Sequence, residues 1–290
     1  MNKHFKITWA NTLFILVHFA CFAAFWVGIN WTAFALFVGC FAIRKFGITG
    51  GFHRYFSHRS YKTSRAFQFF LAFLGGSSAQ KGAIWWAAQH RHHHKHSDTD
   101  EDIHSAKLEG FYWSHIGWVL SDEYDDFDAK TVQDLMKFPE LVWLDRWLFV
   151  PPVTLAIACY LIGGITGLVW GFFISTVVLY HTTFAINSLC HMFGSRRYET
   201  GEESKNSLWL AILTMGEGWH NNHHHYPLSA RQGFFWWEID ISYYVLVALS
   251  WCGLVWSLQA PPKKMLLPEA MTAINPPEPE PKLKVPIVSA

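Results

Sequence analysis

Charge is absent from two long tracts of this chain: residues 7–43 and 147–195 hold no Asp, Glu, Lys or Arg. A bilayer crossing takes about 20 apolar residues, so each tract is long enough for two helices. Cysteine is scarce and odd in number. Cys21, Cys40, Cys159, Cys190 and Cys252 form no C-x-x-C pair, which argues against a disulfide framework or a zinc ribbon and leaves them as packing residues. Net charge is only +1, which makes no case for a nucleic-acid partner. No glycine fingerprint for a flavin or dinucleotide and no fused haem domain is visible, so electrons for any redox chemistry are expected from outside.

Breaks fall inside both tracts, at Gly28-Ile29-Asn30 and at Gly163, Gly164 and Gly167, which predicts two helical hairpins and four spans. A signal peptide is a poorer reading of the first tract, which outruns such a core and shows no small-residue cleavage site before its second half. Basic residues avoid both turns. They precede the first hairpin (Lys3, Lys6), separate the hairpins (Arg44, Lys45, Arg54, Arg59, Lys62, Arg65) and follow the second (Arg196, Arg197), which puts these regions and both termini on the cytoplasmic side. Residues 65–89 are too interrupted for a span and predict an interfacial or half-buried helix. The acidic stretches 98–102 and 122–128 read as solvated cytoplasmic surface. Residues 239–256 suit a helix lying on the membrane, and the Pro-rich residues 261–290 an extended or disordered tail beyond a domain of residues 1–260.

Histidine is plentiful where charge is not. Fifteen of the 17 lie between His53 and His225, mostly in three clusters: His53 to His58, His90 to His94, and His220 to His225. Neutral imidazole is the commonest transition-metal ligand near neutral pH. His90, His93 and His94 share one helical face, as do His220, His223 and His224, whereas His92 and His225 point elsewhere. His53 and His58 are five apart, roughly 140° around an ideal helix, so both ligate only if they serve different metals or the helix is distorted. A lone histidine such as His191 or His181 on an apolar helix reads as a hydrogen-bonded core residue.

The sequence resembles the membrane fatty acyl desaturases, especially the stearoyl-CoA branch, over residues 46–226. The resemblance is carried by Gly47-Ile48-Thr49-Gly50-Gly51-Phe52 before the first cluster, His90-Arg91 with His93-His94-Lys95, Ser114-His115-Ile116-Gly117-Trp118, Asn187-Ser188-Leu189-Cys190-His191, and Gly216-Glu217-Gly218-Trp219-His220. It implies an all-α integral membrane fold in which four transmembrane helices form two hairpins beneath a cytoplasmic helical cap with a histidine-ligated di-iron site. Nine ligands are implied for two iron ions (Fe2+/Fe3+): His53, His58, His90, His93, His94, His191, His220, His223 and His224, with Asn187 acting through water. Gln80, Trp86 and Thr183 match positions lining the kink of the acyl tunnel. His92, His96, His104 and His115 fall outside the ligand set but close enough to orient it, His115 best of these, and Asp98 or Glu217 suits the same part unless Glu217 pairs with an arginine.

The implied reaction is O2-dependent insertion of a cis double bond into a long-chain acyl substrate, acyl-CoA of the delta-9 type first. A ferredoxin or b-type cytochrome with its reductase would supply electrons. A membrane di-iron acetylenase or hydroxylase and a desaturase acting on acyl-lipid or acyl-carrier-protein are alternatives, and a metal or haem transporter is a more distant one, since its ligands would sit near the bilayer midplane. Two departures bear on substrate. Where the resemblance leads to expect basic residues gripping CoA phosphates, Ser121-Asp122-Glu123-Tyr124-Asp125-Asp126 stands instead, and carboxylates repel phosphates. Lys45 replaces a small residue near the blind end of the tunnel, where a lysine either shortens it or snorkels outward.

Overall fold

The computed structural model describes residues 9–121 and 124–267; Lys3, Lys6, Asp122, Glu123 and most of the Pro-rich tail lie outside the described residues. Regular structure among the described residues is helical, including the short α6 (Ala106–Tyr112), α7 (Gln133–Met136) and α11 (Leu208–Leu213), apart from isolated bridges of Asn206 with Ser195 and Trp219 and an antiparallel ribbon in which β1 (Lys62–Thr63) pairs with β2 (Val255–Trp256). The first uncharged tract forms α1 (Trp9–Ala20), a 3₁₀ turn (Cys21–Ala23) and α2 (Ala24–Val27). It reverses at Gly28, whose φ of 64° suits glycine alone without strain. Asn30 then starts α3 (Trp31–Phe46) by accepting the Ala33 N–H at 2.8 Å.

In the second tract, α9 (Val150–Leu168) is broken at Gly164, φ 60° and ψ −153°, and runs through a wide turn (Val169–Ile174) into α10 (Ser175–Met192). The two reversals stand at the glycines that break the uncharged tracts. Two continuous runs, Trp31–Ser57 and Val150–Met192, are long and apolar enough to cross a membrane. Phe19, Phe25 and Trp26 on α1 and α2, Trp31 at the start of α3, and Leu161 and Ile162 on α9 are exposed, Trp31 by 85%. A water-facing surface carries such apolar patches only at a cost.

Between the tracts the expected single helix over residues 65–89 is two. α4 (Arg65–Gly76) ends at a glycine pair, and the link to α5 (Ala83–His96) includes Ala79 and Lys81 with positive φ. α5 can begin there because Asp145 of α8 (Pro139–Arg146) accepts the N–H groups of Ile84 and Trp85, both at 3.0 Å, satisfying donors that a helix start leaves free. The C-terminal apolar run is also shorter as a helix than its composition suggests. α13 (Ile241–Trp251) has 11 residues, about 16 Å, too short for a crossing, and Val255 and Trp256 leave it to form the ribbon. A core including Phe52, Phe56, Leu71, Ile84, Leu141 and Leu246 packs residues 47–57 against α4, α5, α8 and α13. It fixes the segment that carries the first histidines.

Candidate metal centre

Residues Gly47–Ser57 continue α3 as a π-helix. The His58 N–H donates to the His53 carbonyl at 3.2 Å, five residues back, and the wider turn brings the two rings to one side, with centroids 4.9 Å apart. Of the two ways for both to face a metal, the distorted helix is the one found. The Ser57 hydroxyl donates to the Phe52 carbonyl at 2.8 Å and Ser60 to that of Arg54 at 2.9 Å, occupying acceptors that a wide turn frees. Arg91 then ties α5 to the end of this segment, donating to the Ser57 and Phe56 carbonyls at 3.0 and 2.6 Å and to Asp134 at 2.8 Å.

The third cluster forms α12 (His220–His225), a helix of six residues. Buried asparagines hold it. Asn221 accepts the Arg197 and Tyr198 N–H groups, each at 2.8 Å, and Asn222 donates to Glu238 at 2.9 Å. α10 supplies His191.

The nine histidines named by the resemblance fall into two groups: His53, His58, His90, His94 and His223, and His93, His191, His220 and His224. Within each, the ligand atoms lie within 4.8 Å of one another. On α5 and α12 the residues four apart share a group, while the one three along belongs to the other. Each helix therefore bridges both groups. The Nε2 atoms of His58 and His90 are 2.8 Å apart, those of His223 and His94 2.9 Å, His53 and His223 3.0 Å, and His191 and His220 3.1 Å. Two imidazole nitrogens about 2.1 Å from one ion at a right angle stand about 3.0 Å apart, so the groups fit metal ions. His224 Nε2 is buried with no hydrogen-bond partner among the described residues, as a free ligand atom would be.

Carboxylates stand behind the rings. Glu217 Oε2 is 2.5 Å from His53 Nδ1 and Asp102 Oδ1 is 2.8 Å from His93 Nδ1. Asp98 and Glu202 lie 3.5 and 3.7 Å from His191 Nδ1, and Glu202 3.6 Å from His224 Nδ1. A carboxylate at Nδ1 fixes the tautomer that turns Nε2 toward a metal. Burial, and then the neighbouring imidazoles, hold His58, His90, His94, His220, His223 and His224 well below the usual histidine pKa. That direction favours the neutral ring, the form a metal ligand takes. At His93 burial acts downward too, but Asp102 outweighs it and the pKa rises. Burial opposes ionisation of Glu217, yet His53 and Arg54 hold its carboxyl down to about 2.

Ile48, Thr49, Trp86, Thr183, Ile186 and Asn187 line a narrow cavity that ends on His53, His90, His93, His220 and Glu217. Trp86 stacks on His90 with centroids 5.0 Å apart, and Gln80 stands behind Thr183, donating to its hydroxyl at 3.4 Å. Lys45 does not snorkel outward: it is fully buried, with Nζ 3.2 Å from Thr183 Oγ1.

The other described histidines lie outside both groups. His92 bonds the Glu101 carbonyl at 2.8 Å, His96 is 3.3 Å from Glu101, and His225 stacks on Tyr198. His104 packs on His93, centroids 4.2 Å apart. His115 is placed elsewhere, 2.9 Å from Ser188 Oγ and 3.0 Å from His181, whose other nitrogen is 3.2 Å from His18. Glu217 fills both of its expected parts, contacting His53 and also Arg54 at 3.0 Å. Sequence reasoning missed Asp102 and Glu202, and also Gln232, whose amide donates to Glu217 at 2.9 Å, and Asp240, which pairs with Arg54 at 2.9 Å. The stretch 98–102 is not wholly solvated surface, because Asp98 is partly buried and Asp102 is only 5% exposed. Its one signal in the sequence is its place directly after the second cluster.

Residues 29–251 match the family model described as Fatty acid desaturase. The chain is 38% identical over 263 residues to the sn-1 stearoyl-lipid 9-desaturase of Anabaena variabilis, covering 89% of this chain and 96% of that one. It is 37% identical over 260 residues to the Acyl-CoA C20 Delta5-desaturase of Anemone leveillei, covering 89% and 82% respectively. With the sn-2 palmitoyl-lipid 9-desaturase of Nostoc sp. (strain 36) the identity is 36% over 256 residues, covering 86% and 89%. The chain belongs to the fatty acid desaturase family and is an oxidoreductase acting on fatty acyl substrates.

Proposed function

We propose that this chain is a membrane-embedded, O2-dependent desaturase that holds one iron in each histidine group and inserts a cis double bond into a long-chain acyl substrate. The observation carrying this reading is the division of nine histidines into adjacent groups of five and four, with Nε2 separations of a shared metal ion. Bound iron would supply activation of O2, which takes two hydrogens from adjacent methylenes and, with two electrons and two protons from an external donor, leaves an alkene and two waters. The protein supplies the rest. Glu217 and Asp102 orient the rings, the acidic partners behind His191 and His224 favour bound cations, and Asn187 faces the same cavity. The apolar walls at Ile48, Trp86 and Ile186 exclude water and hold the acyl chain, with Thr183 and Gln80 at its bend.

The chain crosses the membrane four times, with the helices on either side of Gly28 and of Gly164; the apolar side chains these helices expose support this reading, since lipid would cover them. Basic residues between and after the hairpins put the histidine groups and both termini on the cytoplasmic side. Residues 1–260 are the catalytic domain and residues 261–290 an appended tail. A ferredoxin or b-type cytochrome with its reductase is the electron source.

The acyl carrier is where surface and resemblance pull apart. Asp125, Asp126 and Asp128 are exposed shortly after the Ser114–Trp118 motif, and Lys81 is already paired with Asp125. Such a surface repels CoA phosphates and favours an acyl chain esterified to a lipid, as in two of the relatives named above, over acyl-CoA. Expression in a desaturase-deficient host, with mass spectrometry of double bonds in the lipid and acyl-CoA pools at early times, tests both points. New double bonds arising first in the lipid pool support the lipid carrier; arising first in acyl-CoA, they refute it. Protein that loads iron and yields no double bond in either pool refutes the desaturase reading.

A further inference from the structure

We infer that Cys40 and Cys159 form a peroxide-reactive thiol pair on the lipid side of the chain, oxidised to a disulfide that joins the two hairpins; this rests on the membrane reading above. Sequence spacing gives no hint of it, since 119 positions separate the two. The fold closes that gap. Cys40 lies on α3 and Cys159 on α9, and glycines let these helices and the wide turn approach: a Cβ at Gly167 would stand 3.0 Å from Leu36 of α3, and one at Gly171 2.9 Å from Cys159 Sγ. The two sulfurs are 3.8 Å apart, a separation at which one can attack the other once that other is oxidised.

The sulfurs differ in access. Cys159 is 1% exposed, whereas Cys40 is half-buried and lines a groove of about 570 Å³ with Trp31, Leu36, Gly39, Ile43 and Ile162. From Trp31 to Ile43 the groove follows about 18 Å of α3. Its walls are apolar apart from Thr32, so it takes up a lipid chain in preference to water. What reaches Cys40 by this route is an organic hydroperoxide carried on an unsaturated acyl chain. Arg44, one turn along α3, is buried and acts on both sulfurs. It donates to the Cys40 carbonyl at 3.1 Å, Thr176 Oγ1 at 2.7 Å, the Ser77 carbonyl at 3.2 Å and Ser175 Oγ, and has no carboxylate partner among the described residues. An unneutralised cation offsets the negative charge that a sulfur carries as it attacks.

The Cys40 sulfur attacks the outer oxygen of the hydroperoxide: an S–O bond forms, the O–O bond breaks, and the alkoxide leaves with the thiol proton as an alcohol. Cys159 then attacks the Cys40 sulfenic acid. The S–S bond forms, the S–O bond breaks, and hydroxide leaves with the second thiol proton as water, so two thiols lose the two electrons that the peroxide gains.

The purified full chain in phosphatidylcholine vesicles is treated with linoleate hydroperoxide in the bilayer or an equal amount of hydrogen peroxide in the buffer, then digested without reduction. The intact mass should fall by about 2 Da, two hydrogens, and a Cys40–Cys159 cross-linked peptide that a reductant removes should arise faster from the bilayer peroxide. In Cys159→Ser a dimedone probe should trap the sulfenic acid at Cys40 with no cross-link; in Cys40→Ser Cys159 should carry no adduct. Wild-type protein that yields no cross-linked peptide, while the exposed Cys252 is oxidised, would overturn the inference, and so would a cross-link arising faster from hydrogen peroxide. Protein that does not float with the vesicles is the separate failure of the membrane reading, seen before any peroxide is added.

Discussion

Replacing Glu217 by Gln keeps size and shape but removes the acceptor that joins the first histidine group to its buried arginine. In the native chain Oε1 accepts from Arg54 Nη2 at 3.0 Å and Nε at 3.3 Å, while Oε2 faces His53 Nδ1 at 2.5 Å and the Gln232 amide at 2.9 Å. A carboxylate accepts on both oxygens; an amide accepts on one and donates on the other. Whichever way the substituted amide turns, its NH2 meets either Arg54 or the His53 and Gln232 donors. One buried donor pair is left unmatched, at a cost of about 1–3 kcal/mol. Arg54 retains Asp240 at 2.9 Å, so the loss falls short of the roughly 3–5 kcal/mol expected on stripping a buried charge bare, and the chain should still fold. The loosened ring is His53, and the weakening should be confined to the five-histidine group. Losing such a partner typically costs about 10- to 100-fold in metal affinity. Iron titration of the purified variant should show one site bound as in wild type and one weakened by that factor. Two wild-type affinities, or equal weakening of both, would refute the argument that Glu217 positions His53 through Nδ1.

Three further outcomes are expected. His93→Ala and His223→Ala should each abolish desaturation and lower bound iron, while His92→Ala and His225→Ala leave both largely intact, as read by metal analysis and product mass spectrometry; normal iron with full activity in the His93 variant counts against the ligand set. Trp86→Ala and Thr183→Ala should lower the rate or scatter double-bond position before they change iron loading, and unchanged regiochemistry in both would reduce these residues to packing. Chelation should lower thermal stability, because ligand present at about 1,000 times its Kd stabilises the folded state by about 4 kcal/mol; identical melting with and without chelator would remove metal from the folding balance.

The hairpins were legible because their cause is local: uncharged tracts interrupted at Gly28 and Gly164, where the backbone takes positive φ. The two long clusters were legible for the same reason, since i, i+3 and i+4 spacing decides a helical face. Spacing could not assign metals, because α5 and α12 each send residues of one face to two different groups. His191 shows the limit most sharply. It stands alone on an apolar helix, and spacing offers nothing to separate it from His181, ten residues earlier. The difference is supplied by chain far away: Asp98 and Glu202 approach His191 from two separate loops, whereas His181 meets His18 and His115. The same holds for Asp102, one of a run of acidic residues until the turn after α5 folds it back to His93. Periodicity states which side chains leave a helix together. What they meet is decided by the elements packed opposite, and those partners, more than the histidines, turn a cluster of imidazoles into a candidate metal centre.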